Sequence, residues 1–317
     1  MRLAGALRDL RERAGGSSPV SGVRALIGFG RTVADLAVTE AFYRDGLGFA
    51  RIAPPEPLPP AQAEAMGLGD RRATQLRMRL GAQTVTFLTV DPPGAPYPAD
   101  PAATDPFFQH LAIPVRDMAA AMAQLAPLSP IPISRGGPQR LPESTGGVTA
   151  YKFRDPDGHP LELIVFPGGP PADRWREAPG LFLGIDHSAI TVTDLEATLA
   201  FLTGPLGLTL AERGLNQGPE QARLDGLDDP QVDVLALEPP EPAPHVELLH
   251  YRVPATERRL VFGPADRAAT RFVFATADPQ ALSRRLRAAG RVPQASADGA
   301  AVYCAGPDGH GVLFVRA

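Results

Sequence analysis

The feature that most constrains this chain is a pattern that occurs four times. A short run rich in apolar and β-branched residues leads to an aspartate seven positions after the run begins: Gly28 to Asp35, His110 to Asp117, His187 to Asp194 and Arg271 to Asp278. Such a run followed by Asp reads as a strand passing into a helix that the aspartate caps. In the third copy, Thr193 and Glu196 predict a capping box. Four copies predict small repeated units rather than one continuous motif.

The segments after the aspartates match in alternate copies. Asp35 leads to Phe42-Tyr43 and Leu47-Gly48, and Asp194 leads to Phe201-Leu202 and Leu206-Gly207 at the same offsets. Each glycine is a natural helix exit, because it takes the left-handed conformation cheaply. Copies two and four share a different ending, with Asp155-Pro-Asp-Gly-His matching Gly306-Pro-Asp-Gly-His. Pro-Asp-Gly predicts a tight turn feeding a last strand. The pattern is that of a two-module unit that has been duplicated, each module running strand, helix, three strands.

The fold class expected is therefore α+β, with four βαβββ modules whose strands form mixed sheets flanked by helices. A chain of 317 residues suits about two domains. The expected first domain spans 23–168, with modules 23–91 and 106–168, and the second spans 183–317, with modules 183–252 and 268–317. Residues 1–22 predict a short amphipathic helix and a flexible tether. The linker is expected at 169–182, within the Pro-rich stretch Pro167 to Pro179.

Composition excludes several classes. Apolar residues make up 44%, charged residues 21%, and the net charge is −4, which suits a soluble globular protein with ample core material. No Lys/Arg stripe points to nucleic acid, and no segment approaches the roughly 20 apolar residues of a membrane span. The single cysteine, Cys304, rules out an intrachain disulfide and any Cys-based metal cluster. It is expected to be a small strand residue. The charges scattered through the first 16 residues do not make a secretory signal. A cytoplasmic, bacterial protein is expected, as a monomer or homodimer acting on a small molecule.

Three motifs together carry a family resemblance. They are His-x-x-Ile-x-Val-x-Asp at 110–117 and 187–194, Phe-Tyr-x-x-Gly-Leu-Gly-Phe at 42–49, and Asp-Pro-Asp-Gly-His-x-Leu-Glu-Leu at 155–163. The chain resembles the vicinal oxygen chelate superfamily, the glyoxalase / bleomycin-resistance / extradiol-dioxygenase group, over nearly everything from Val23 onward. The resemblance implies paired modules closing into a cup around a metal, with ligands from the first and last strand of each module. It implies His110 and Glu162 in module two, and His187 and Glu247 in module three. Module one has Gly28 and Thr86 at those places, and module four has Arg271 and Leu313, so neither offers a credible ligand. His245 replaces a ligand if the register of the last strand slips.

Two imidazoles and two carboxylates suit a divalent ion such as Zn, Ni, Mn, Co or Fe(II). The resemblance implies Lewis-acid chemistry on two adjacent substrate oxygens, with Glu162 or Glu247 moving a proton next to a carbonyl. Pairing decides whether the site exists. Pairing one with two and three with four would split the ligands into two poor sets, and pairing two with three would unite them. The ligand distribution favours the second arrangement, within one chain or across a dimer.

The expected activity is a metal-dependent isomerase or lyase of glyoxalase-like type. The alternatives are an Fe(II) extradiol ring-cleaving dioxygenase and a metal-free ligand-binding or resistance protein. Asn216, Gln221, Arg223 and Arg140 are candidate substrate contacts at the cup mouth, with Gln139 beside the last. His159 and His310 are expected to be turn residues.

Overall fold

The structure is a computed structural model that describes residues 22–241, 244–256, 258 and 260–316. The expected N-terminal helix and tether lie outside the described residues except for Gly22. Among the described residues no helix is long and apolar enough to cross a membrane.

The helices begin where the repeats place them. Asp35, Asp117, Asp194 and Asp278 each accept hydrogen bonds from backbone N–H groups in the first turn, satisfying donors the helix cannot. The expected capping box of module three does not form. Asp194 caps that helix alone, and the Thr193 hydroxyl instead donates to Asp308. Gly48 and Gly207 exit their turns at φ +70° and +80°.

The chain is mixed α+β, with two mixed sheets of nine strands each. In every module the first strand runs parallel to the last, and the remaining pairings are antiparallel. The strand order crosses the duplication. The first strand of module two (Gln109–Pro114) pairs antiparallel with that of module three (His187–Thr191). The first strand of module one (Val23–Thr32) pairs the same way with that of module four (Thr270–Thr276). Each half of the sequence thus gives one module to each sheet.

Strand alternation separates two faces. Leu111, Ile113, Ile190, Phe29, Phe272 and Phe274 point into one large core, which also takes Phe42, Leu125, Phe201 and Leu286 from the four module helices. Each such burial contributes about 1.5–3 kcal/mol before entropy is counted. The residues between them, such as His110, Ala112, His187 and Ala189, face a cup on the opposite side of the sheet.

Turn residues tie the sheets together within each duplicated unit. His159 Nε2 lies 2.9 Å from the Thr32 carbonyl, and His310 Nε2 lies 2.9 Å from the Thr191 carbonyl. Asp157 accepts from Ala34 N, and Asp308 accepts from Thr193 N. Both histidines sit in the Pro-Asp-Gly-His turns, as expected, and both are buried. Between modules one and two, Arg31 lies 3.5 Å from Asp155 and donates to Tyr43 Oη and the Pro160 carbonyl.

Candidate metal centre

Register brings the four expected ligands to one place. Ala189 lies opposite His110, and Ala112 lies opposite His187, so both imidazoles share a face two residues apart across the strand pair. Glu162 is opposite Ala112, and Glu247 is opposite Ala189. The two modules therefore present the same diagonal of His, Ala and Glu, related by a local twofold. The small alanines leave room beside the carboxylates.

Glu162 Oε2 lies 2.9 Å from His110 Nε2 and 3.8 Å from His187 Nε2. Glu247 Oε2 lies 3.4 Å from His187 Nε2. One ligand atom each from His110, Glu162 and His187 lies within 4.8 Å of the others, and Glu247 joins that group through His187. The register of the last strand holds, because His245 pairs with His187 and Glu247 with Ala189. His245 sits one step outward, with Nε2 3.2 Å from Glu247 Oε1. Asp186, His187 and His245 form a second close group. In it Asp186 engages His187 through Nδ1 at 3.1 Å, leaving Nε2 toward Glu162 and Glu247. That is the arrangement in which a carboxylate orients a ligating imidazole.

The donor set fits a divalent cation. Both ring nitrogens of His110 are buried without a hydrogen-bond partner. The close Nε2–Glu162 approach is therefore one of distance without hydrogen-bond angle, as expected of two groups aimed at a common third point. Three carboxylates, Glu162, Glu247 and Asp186, crowd the cluster. Burial pushes Glu162 up, but His110 and Lys152 outweigh it and hold the carboxyl at about 2. Burial pushes His187 down, but Glu247 and Asp186 lift it to about 9. His110 is lowered by burial despite Glu162. Anionic oxygens that hold a proton on one imidazole offer the same field to a metal dication.

The surrounding cup encloses about 430 Å³ and is lined by all four expected ligands. Asn216 and Gln221 also line it. Arg223 and Arg140 are not among the lining residues: Arg223 donates to Gln139 Oε1 at 2.6 Å, and Arg140 pairs with Glu143 at 2.9 Å on the surface. Gln221 is turned inward, donating to Asp225 at 2.7 Å. The expected linker reaches the site, since Trp175 donates its indole N–H to Asp186 at 3.1 Å.

One site residue lay outside the sequence expectation. Lys152, the only lysine in the chain, is buried in the cup directly across the strand pair from Glu162. Its Nζ donates to Asp225 Oδ1 at 2.7 Å, and Asp225 also accepts from Tyr251 and Gln221. Burial opposes its charge, yet Asp225 and Glu162 raise its pKa. The signal was present: in a chain that uses arginine everywhere else, a lone lysine marks a place where a compact ammonium is needed.

Over residues 26–163 and 184–314 the sequence matches the Glyoxalase/Bleomycin resistance protein/Dioxygenase superfamily. The chain belongs to this superfamily. Glyoxalase I from Zea mays is similar in fold at a TM-score of 0.61 and 16% identity, covering 92% of each chain. A putative dioxygenase from Bacillus subtilis is similar at a TM-score of 0.56 and 13% identity, covering 93% of this chain and 86% of that one. At such identities the likeness is one of fold. No curated protein matches the sequence significantly. Members of the glyoxalase superfamily generally use divalent metals, and the His/Glu cluster of modules two and three fits that habit.

Proposed function

We propose that the protein is a metal-dependent enzyme of glyoxalase-like type, acting on a small oxygenated substrate by proton transfer next to a carbonyl. The observation that carries this is the twofold-related pair of His–Glu diagonals meeting in one cup. His110, Glu162, His187 and Glu247 would hold the ion. A bound dication there supplies Lewis acidity toward two adjacent oxygens of the substrate.

The remaining work falls to the side chains. Glu162 is pinned between His110 and Lys152 and is the poorer base. Glu247 is more open, with its side chain 19% exposed against 7% for Glu162, and its Oε1 has His245 alongside. Glu247 is the carboxylate assigned to take and return the substrate proton, with His245 positioning it. Asn216 and Gln221 contact the substrate at the wall. All four ligands come from one chain, so a monomer suffices and a homodimer adds none. We place the reaction in the cytoplasm.

The triad His110, His187 and Glu162 also has the composition of an Fe(II) oxygenase site, which makes ring cleavage the second reading. The test is incubation of metal-loaded protein with a panel of α-hydroxycarbonyl compounds in D2O. Deuterium at the carbon beside the carbonyl, lost in Glu247→Gln, is the expected result. No exchange on any of the panel, with oxygen uptake on catechols and Fe(II), would contradict proton transfer and support the second reading.

A further inference from the structure

The second sheet carries a cup in the same place, formed by modules one and four and enclosing about 390 Å³. Cross-strand register lets the two cups be compared row by row. In the metal cup one row reads His187, Ala112, Glu162, Lys152. The corresponding row of the other sheet reads Arg271, Gly30, Thr86, Arg77. The twofold-related metal row reads His110, Ala189, Glu247, Ala236. Its counterpart reads Gly28, Val273, Leu313, Tyr303. One row has thus exchanged its imidazole and carboxylate for an arginine and a threonine, with an arginine at the lysine position. The other row has lost both ligands and become largely apolar.

Arg271 is the unusual member. It is 3% exposed and lines the cup. Its stem runs across Gly30, where a Cβ would collide with Nε and Cγ of the arginine. Its only hydrogen bonds among the described residues run from Nη1 and Nη2 to the Thr32 hydroxyl, at 3.3 and 3.2 Å. No carboxylate among the described residues pairs with it, although a buried guanidinium has five donors and is costly to bury uncompensated. Burial lowers its pKa to about 10, so it stays charged at neutral pH. The other cation, Arg77, already has Glu56 at 3.2 Å. The cup therefore carries one uncompensated positive charge beside an apolar wall that includes Leu88, Val273 and Leu313.

We propose that the cup of modules one and four is a second, metal-independent binding site, taking a small monocarboxylate with an apolar body whose carboxylate pairs with Arg271. Planar guanidinium and planar carboxylate match in two parallel hydrogen bonds. Glu56 beside Arg77 leaves a net charge of one and disfavours a dianion. The apolar row takes the body of the ligand. The volume suits a small organic molecule.

The test is calorimetric titration of the full chain with benzoate, benzamide and inorganic phosphate, with and without chelator. The expected result is one saturable benzoate site per chain that chelator leaves intact. Binding should be at least about tenfold weaker for benzamide, and for benzoate with Arg271→Met, since a charged hydrogen-bonded pair is lost. Thr86→Phe fills the cup without touching the charge, and should weaken benzoate similarly if Arg271→Met fails to fold. His187→Ala should leave benzoate binding unchanged, which separates this site from the metal cup. Three results would overturn the proposal: binding lost in His187→Ala but kept in Arg271→Met, phosphate binding as tightly as benzoate, or no saturable benzoate binding to folded protein at millimolar concentration.

Discussion

His110 and His187 stand on adjacent antiparallel strands with ring centroids 5.6 Å apart, although 77 positions separate them in sequence and the boundary of the duplication lies between them. Each imidazole reaches this place from its own module, and each has a glutamate from the last strand of that module beside it. The site exists because the first strands of modules two and three pair with each other.

Asp186 holds the orientation of His187 through Nδ1 at 3.1 Å. Asp186→Asn keeps the shape but weakens that hold. Metal affinity is expected to fall about 10- to 100-fold, with the folded circular dichroism spectrum retained. Competition with a chelator of known affinity measures it.

Lys152 and Asp225 form a buried ion pair. Lys152→Met strands the Asp225 carboxylate in the core and is expected to destabilise the protein by about 3–5 kcal/mol. Lys152→Met with Asp225→Asn should recover part of that loss, because the second change removes the stranded charge. Urea unfolding midpoints measure both. A loss below about 1 kcal/mol for the single variant would place the pair in effective contact with water.

The four aspartate caps, the turns and both cups' first-strand residues could be read from the chain, because each is a local signal repeated at fixed spacing. The strand positions of the candidate ligands could be read because two histidines and two glutamates recur at matching places in modules two and three. Module pairing was harder. The duplication suggests that each unit closes on itself, and the units do cohere, but through His159 on Thr32 and His310 on Thr191, between sheets. Sheet pairing depends on long-range register, which only the ligand distribution hinted at. Lys152 was missed because strand facing across Glu162 is a tertiary fact. Arg223 and Arg140 looked like cup-mouth residues because polar loops carry no sign of which way they turn.

His159 is held neutral by burial, with Arg31 adding to the effect, and its pKa falls from 6.5 to about 3. The unfolded chain therefore binds a proton here more readily than the folded one. This contribution to stability is complete above pH about 6.5 and is lost as pH falls toward 3, to an extent on the order of a few kcal/mol. His159→Gln, which keeps a donor for the Thr32 carbonyl, should flatten the stability-against-pH curve in that window. An unchanged slope would reject the assignment. Burial lowers His310 in the same direction, so some acid sensitivity should remain.

Gly30 is required by Arg271 rather than by its own backbone, since a Cβ there meets the arginine side chain. Gly30→Ala alone should lower the melting temperature. The same change in an Arg271→Ala background should be nearly neutral. Additive effects in the double variant would show that the contact does not limit residue 30.

The most direct test is the metal content of purified protein after saturation with a divalent ion and removal of excess. The wild-type chain should hold one ion, and both His110→Ala and His187→Ala should lose it while remaining folded. Loss in only one variant, or an ion retained in both, would contradict a single centre shared by modules two and three.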